Sequence, residues 1–264
     1  MNFGLQGKIA VVSGSTAGIG LAIATALAAE GARVIINGRT EERVTSALEK
    51  IRERVPTADL RGVAADLGTA TGVEAFLKKA PDADVLINNV GIFEPKAFLD
   101  IPDADWLRLF EVNVMSGVRL SRKYLPGMLK KNWGRVIFIS SESAQQTPPE
   151  MVHYGMTKTA QVAIARGMAQ SVASTGVTVN SVLVGPTDSE GVGAFLESLA
   201  KERNISKAEM EKLFFEKARP SSLLKRFETA DEVAAVVAFV ASTQSLVING
   251  AAIRAEGGVV SSLF

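Results

Sequence analysis

The chain contains no cysteine and one histidine, His153, and aromatic residues make up only 6% of its 264 positions. Without thiols there is no disulfide, thiolate nucleophile or cysteine-ligated metal, and a lone imidazole excludes a histidine-rich metal site, so no metal is expected. Proline is sparse at nine residues, and no Pro/Ser-rich linker, repeat or low-complexity tract marks a domain boundary. No apolar run reaches the ~18 residues that a membrane span needs. Residues 1–8 lack the basic and long apolar regions of a signal peptide, so a cytoplasmic protein with no membrane partner is expected. Neither sign of charge dominates. The 29 basic and 28 acidic residues leave a net charge of +1, and no basic tract is present to follow a phosphate backbone, which argues against nucleic acid as a partner.

What the chain does have is apolar mass, 47% of all residues, enough for a sizeable core. Short β-branched runs at 9–13, 34–37, 85–88, 136–140 and 177–184 alternate with helical windows at 18–30, 41–54, 71–79, 104–131, 151–174 and 229–242. The strands are apolar nearly throughout rather than every second residue, as when helices cover both faces of a parallel sheet. This rhythm predicts an α/β fold, a single Rossmann-like domain over 1–264 with a doubly wound parallel sheet and helices on both faces. The rhythm breaks at 188–222, where amphipathic windows at 192–203 and 207–218 follow a strand. An insertion placed there is expected to form a substrate loop or lid, with Phe195, Leu196, Leu199, Leu213, Phe214 and Phe215 on its apolar face.

The first strand runs into Gly14-Ser15-Thr16-Ala17-Gly18-Ile19-Gly20 and then a helix. Glycines at this point allow a tight turn and close approach to a pyrophosphate, while the helix offers unpaired N–H groups and the positive end of its dipole. Any dinucleotide suits that geometry. At the end of the second strand, where an acidic residue would hold the adenosine ribose hydroxyls, the chain reads Asn37-Gly38-Arg39. Arg39 offers a planar, permanently charged partner for a 2′-phosphate, so NADP(H) is the preferred cofactor and NAD(H) the alternative.

Further along lie Ser141, Tyr154 and Lys158. Tyr154 and Lys158 are four residues apart and share a helix face, so the ammonium is expected to stabilise the phenolate and lower the Tyr154 pKa. Ser140 and Ser143 are neighbours whose hydroxyls could replace that of Ser141. Glu142 and Glu150 in the same loop are expected to be solvated, and His153 to be a packing or capping residue.

Taken in order along the chain, these motifs resemble those of the short-chain dehydrogenase/reductase family, in its 3-oxoacyl-ACP-reductase-like subgroup. The glycine turn is similar to the family's TGxxxGIG, with Ser13 in place of threonine. Asp66-Leu67 resembles its adenine-contacting pair, Asn88-Asn89-Val90-Gly91 its NNAG motif, and Val184-Gly185-Pro186-Thr187 its PG segment. The resemblance implies a cofactor site built from Gly14, Ser15, Thr16, Gly18, Ile19, Gly20, Arg39, Asp66, Leu67, Asn89, Val90, Gly91, Gly185, Pro186 and Thr187, together with Tyr154 and Lys158. It implies a catalytic set in which Tyr154 exchanges a proton with the reacting oxygen, Ser141 hydrogen-bonds that oxygen, Lys158 holds the nicotinamide ribose and Asn113 holds a relay water. The expected activity is interconversion of a small-molecule carbonyl and alcohol by hydride transfer. A cofactor-binding sensor, an epimerase and a dehydratase are alternatives on the same fold. The family's pairing of long helices implies a homo-oligomer, tetramer or dimer.

Overall fold

A computed structural model describes residues 2–263, apart from the side chains at 190, 191, 194 and 195. Seven parallel strands form one sheet in the order β3-β2-β1-β4-β5-β6-β7. They are β1 (Ile9–Val12), β2 (Arg33–Gly38), β3 (Leu60–Ala64), β4 (Val85–Asn88), β5 (Gly134–Ser141), β6 (Val177–Val184) and β7 (Ala252–Ala255). β4, β5 and β6 are buried along their whole length, because helices cover both faces of the sheet.

On one face α1 (Gly18–Ala29), α2 (Glu41–Arg54) and α9 (Ala230–Ala241) pack Ile23, Leu27, Ile51 and Val237 against β1, β2 and β4. On the other, α3 (Ala70–Lys79), α5 (Ser116–Lys131) and α6 (Val152–Ser171) bring Phe76, Leu120, Met128 and Ala165 against β4 and β5. Between β6 and α9 lie α7 (Glu190–Arg203) and α8 (Lys207–Lys217), with a small core of their own around Leu196, Met210, Phe215 and Phe227. Of the apolar residues expected on this insertion, Leu199, Leu213 and Phe214 pack beside that core, while the Phe195 side chain lies outside the described residues. Among the described residues no helix is long and apolar enough to cross a membrane.

Two departures from the sequence reading have simple causes. β3 carries no apolar run, only Leu-Arg-Gly-Val-Ala, because it is an edge strand with Arg61 exposed. Gly62 there lets α2 come so close that an added Cβ would stand 2.2 Å from Val44 Cγ1. The 104–131 window is not one regular helix: α4 (Asp103–Phe110) passes through a π-helical turn, Glu111–Met115, into α5.

The strand ends are tied together by buried neutral polar groups. Asn37 Nδ2 donates to the carbonyls of Val63 (3.1 Å) and Ala65 (3.0 Å), and its Oδ1 accepts from the Gly14 N–H. Ser15 Oγ donates to the Val12 carbonyl (2.7 Å) and accepts from the Asn37 N–H (2.9 Å). Ser13 Oγ donates to the Ile87 carbonyl and accepts from the N–H groups of Asn89 and Val90. Each such partner left unsatisfied in the interior costs about 1–3 kcal/mol. Asn37→Ala strands two carbonyls and one N–H, so urea denaturation is expected to show a loss of about 2–4 kcal/mol with an unchanged m-value.

Candidate active site

The carboxyl ends of β4, β5 and β6 open on a cavity of about 450 Å³, which Ile19 of the glycine turn also lines. Gly14 and Gly18 have φ values of +61° and +53°, and Gly20 leaves no room for a side chain, since a Cβ would lie 2.4 Å from the Gly14 carbonyl oxygen. α1 is preceded by Ala17, which supplies no side-chain cap, so the N–H groups of its first turn have no partner inside the helix. A buried cradle lined by backbone donors at a positive dipole end fits a dinucleotide pyrophosphate. Thr16 and Ile19 are half-buried, and Ile19 lines the cavity. Ser15 is fully buried, with both its hydroxyl and its N–H (to the Asn37 carbonyl, 2.8 Å) bonded within the sheet, so it shapes the turn rather than lining the cavity.

Arg39 is exposed at the end of β2 and makes no ion pair among the described residues. Asp66 is exposed, its Oδ1 accepting from the Gly68 N–H, whereas Leu67 is buried in the core beneath. Asn89 Nδ2 donates to the carbonyls of Ser13 (3.0 Å) and Gly14 (2.9 Å), locking the end of β4 to the glycine turn. Val90 is half-buried, and Gly91 faces Lys158, whose Nζ lies 3.6 Å from where a Gly91 Cβ would be. Opposite, Gly185 and Pro186 line the cavity, and Thr187, also on the wall, turns its Oγ1 back to the Gly185 carbonyl (3.0 Å).

Ser141, Tyr154 and Lys158 meet on the cavity floor. Lys158 is buried, donates to the Ile139 carbonyl (2.9 Å) and lies 5.5 Å from the Tyr154 ring centroid. Burial pushes its pKa down to about 8, against the opposing pull of Glu142. The Tyr154 phenol behaves otherwise than the sequence suggested: burial, then the Glu142 charge, push it above its ordinary value, outweighing the Ser141 hydrogen bond and Arg219. Phe93 closes over this phenol, ring centroids 6.2 Å apart. Of the neighbouring serines, Ser140 turns its hydroxyl away to the Lys158 carbonyl (2.9 Å), while Ser143 is buried beside Ser141.

Glu142 is not solvated. It is 5% exposed, accepts from Ser141 Oγ through one oxygen and from Arg219 Nε (3.1 Å) through the other. Glu150 reaches the same guanidinium at 3.3 Å but stays half-exposed. His153 is fully buried against Trp106, its ring centroid 5.8 Å away, and does not line the cavity.

Asn113 sits in the π turn, where its side chain clamps the loop after β4 by bonding both the N–H (2.8 Å) and the carbonyl (2.9 Å) of Ile92. A third contact runs from Nδ2 to Thr157 Oγ1 (3.0 Å). Its own carbonyl accepts from Gln161 Nε2 at 2.6 Å, and Gln161 Oε1 accepts from Lys158 at 3.4 Å. Gln161 was not foreseen from sequence. Its spacing of seven from Tyr154 and three from Lys158, on one face of α6, is the signal that could have revealed it.

A family model for short chain dehydrogenases matches residues 8–199 of the chain. The chain is 49% identical over 264 residues to the uncharacterized oxidoreductase YvaG of Bacillus subtilis (strain 168), covering all of both chains. It is 30% identical to a 3-oxoacyl-[acyl-carrier-protein] reductase of Vibrio cholerae, covering 97% of this chain and 98% of that one. Its fold superposes on the L-sorbose reductase of Gluconobacter frateurii, solved with NADPH and L-sorbose, with a TM-score of 0.94, 28% identity and full coverage of both chains. The chain therefore belongs to the short-chain dehydrogenase family, an oxidoreductase family, and is related to its 3-oxoacyl-ACP reductases.

Behind the Gly185–Thr187 wall, Glu228 is buried with Oε2 unpartnered, and burial raises its pKa to about 7. Such a carboxyl is neutral in the fold at low pH, and the stability this gives is lost as pH rises from the ordinary carboxylate range through 7. Glu228→Gln is neutral throughout, so its melting temperature relative to the parent is expected to climb between pH 5 and pH 8; a difference independent of pH would contradict this charge state.

Proposed function

We propose that the protein is an NADP(H)-dependent oxidoreductase that interconverts a small-molecule carbonyl and alcohol. The observation that carries this reading is the meeting of Ser141, Tyr154 and Lys158 on one cavity floor, beside a glycine turn whose Gly20 contact leaves backbone donors free for a dinucleotide. When bound, the nicotinamide supplies or accepts the hydride. Tyr154 gives its phenol proton to the substrate oxygen in reduction and takes one back in oxidation. Ser141 stands beside the same oxygen, and Lys158, held by Ile139 and Gln161, has its remaining N–H on the Gly91 side, where it would hold the cofactor's ribose. Asn113 fixes the loop that carries Gly91.

The NADP(H) preference rests on Arg39, exposed at the end of β2 and free of ion pairs among the described residues, where Asn37 is buried and no carboxylate follows it in the Asn37-Gly38-Arg39 sequence. It also agrees with NADPH in the sorbose reductase complex. The segment 188–222 acts as a lid over a pocket with apolar walls from Leu199, Leu213 and Phe214. The chain forms a homo-oligomer, and exposed Leu99 and Leu107 beside α4 are surface that a second copy would cover.

Tyr154→Phe is expected to lower turnover at least 1,000-fold, by about 4 kcal/mol at the barrier, with cofactor affinity retained; turnover near the parent rate overturns the reading. Arg39→Ala is expected to weaken NADPH binding about 10- to 100-fold, as fits loss of a charge-assisted pair, and to leave NADH binding unchanged in a fluorescence titration. Equal losses for both cofactors would remove Arg39 from the 2′-phosphate.

A further inference from the structure

Ser141, Glu142, Arg219 and Glu150 form a continuous chain of contacts from the cavity floor to the surface of the helical insertion. Ser141 has one O–H donor and two lone pairs. The O–H is directed to Glu142 Oε2, and one lone pair accepts from the Ser143 N–H at 3.1 Å. One lone pair remains. Glu142 in turn has no freedom, because its second oxygen holds Arg219, and the side chains of both are more than nine-tenths buried. Arg219 is anchored in its own segment by the Ala218 carbonyl (2.8 Å) and the face of Phe214, 5.7 Å away.

We propose that Glu142 is a positioning residue that couples the 188–222 segment to the catalytic hydroxyls: Arg219 holds Glu142, and Glu142 accepts the Ser141 O–H and so fixes where that hydroxyl stands beside Tyr154. The coupling deepens the oxidoreductase reading of this site and rests on it. In this arrangement the Ser141 proton is committed to Glu142 and the Tyr154 proton is not, so of this pair Tyr154 is the donor to a carbonyl. The Glu142 charge also favours the protonated phenol. The charged groups facing Tyr154 are Lys158 on α6, Glu142 on the turn after β5 and Arg219 on the insertion; Phe93 from the loop after β4 adds an apolar ring. When the insertion lifts, Arg219 leaves and Ser141 regains a choice of partners.

The test uses the fact that the chain has two tyrosines, Tyr124 and Tyr154. In a Tyr124→Phe background labelled with 3-fluorotyrosine, whose phenol is more acidic than that of tyrosine, one 19F resonance reports the titration of residue 154 without cofactor or substrate. Glu142→Gln is expected to lower that pKa by about one unit and Arg219→Met to raise it by a similar amount. Opposite signs follow from charge coupling and not from general loosening of the site. Removing one partner of a buried pair can prevent folding. The double variant Glu142→Gln/Arg219→Met leaves neither charge buried and is expected to titrate between Glu142→Gln and the parent. An unchanged titration in the variants that fold, or shifts of the same sign in both single variants, would overturn the proposal. Because the titration involves no turnover, failure of the oxidoreductase reading would appear separately, as absence of activity with an intact pattern of shifts.

Discussion

The distance between α1 and the end of β1 governs the rest of the site. With no side chain at Gly20, the helix start lies against the Gly14 carbonyl and the Asn89 amide, closer than any other residue would permit. That approach sets the uncapped start of α1 beside the strand ends, and through Asn89 it fixes where β4 ends and the loop carrying Val90 and Gly91 begins. Gly91 then sets how near Lys158 can stand. Displacing α1 by the width of one methyl group would shift each of these in turn.

Neutral polar side chains hold this edge of the sheet. Asn37, Ser13, Ser15 and Asn89 cross-link the ends of β1, β2, β3 and β4 without placing a charge there. Asn113 and Gln161 do the same on the far side of Lys158. Of the charged groups that line the cavity, Lys158, Glu142 and Arg219 stand nearest the Tyr154 phenol. In an interior of low dielectric, amides secure geometry at little electrostatic cost, and the few charges present act at full strength.

The parallel sheet was readable because its strands are apolar on both faces; 85–88 and 177–184 coincide with β4 and β6 to the residue. β3 escaped because an edge strand need not be apolar, and Arg61 and Gly62 break its pattern. The π turn escaped because a hydrophobic period records which residues are buried, not a single extra residue in the helix. The glycine turn, Tyr154 and Lys158 stood out by spacing within local segments. Glu142 could not, since its burial comes from Arg219, 77 residues further on, and a carboxylate in a loop looks solvated until the chain returns to cover it. The direction of the Tyr154 shift was hidden for the same reason: proximity of Lys158 is local, desolvation is not.

The π turn at Glu111–Met115 makes one continuous rod serve two surfaces. A single added residue rotates everything beyond it by about 100°, the angle per residue of an α-helix. α4 before the turn can therefore present Trp106 to His153, while α5 after it lays Leu120, Tyr124 and Met128 on the sheet. The same extra residue leaves a backbone carbonyl at Asn113 that Gln161 reaches from across the site. Removing one residue from this turn would dephase the two halves of the rod, so its length is constrained as tightly as the identity of any side chain in the cavity.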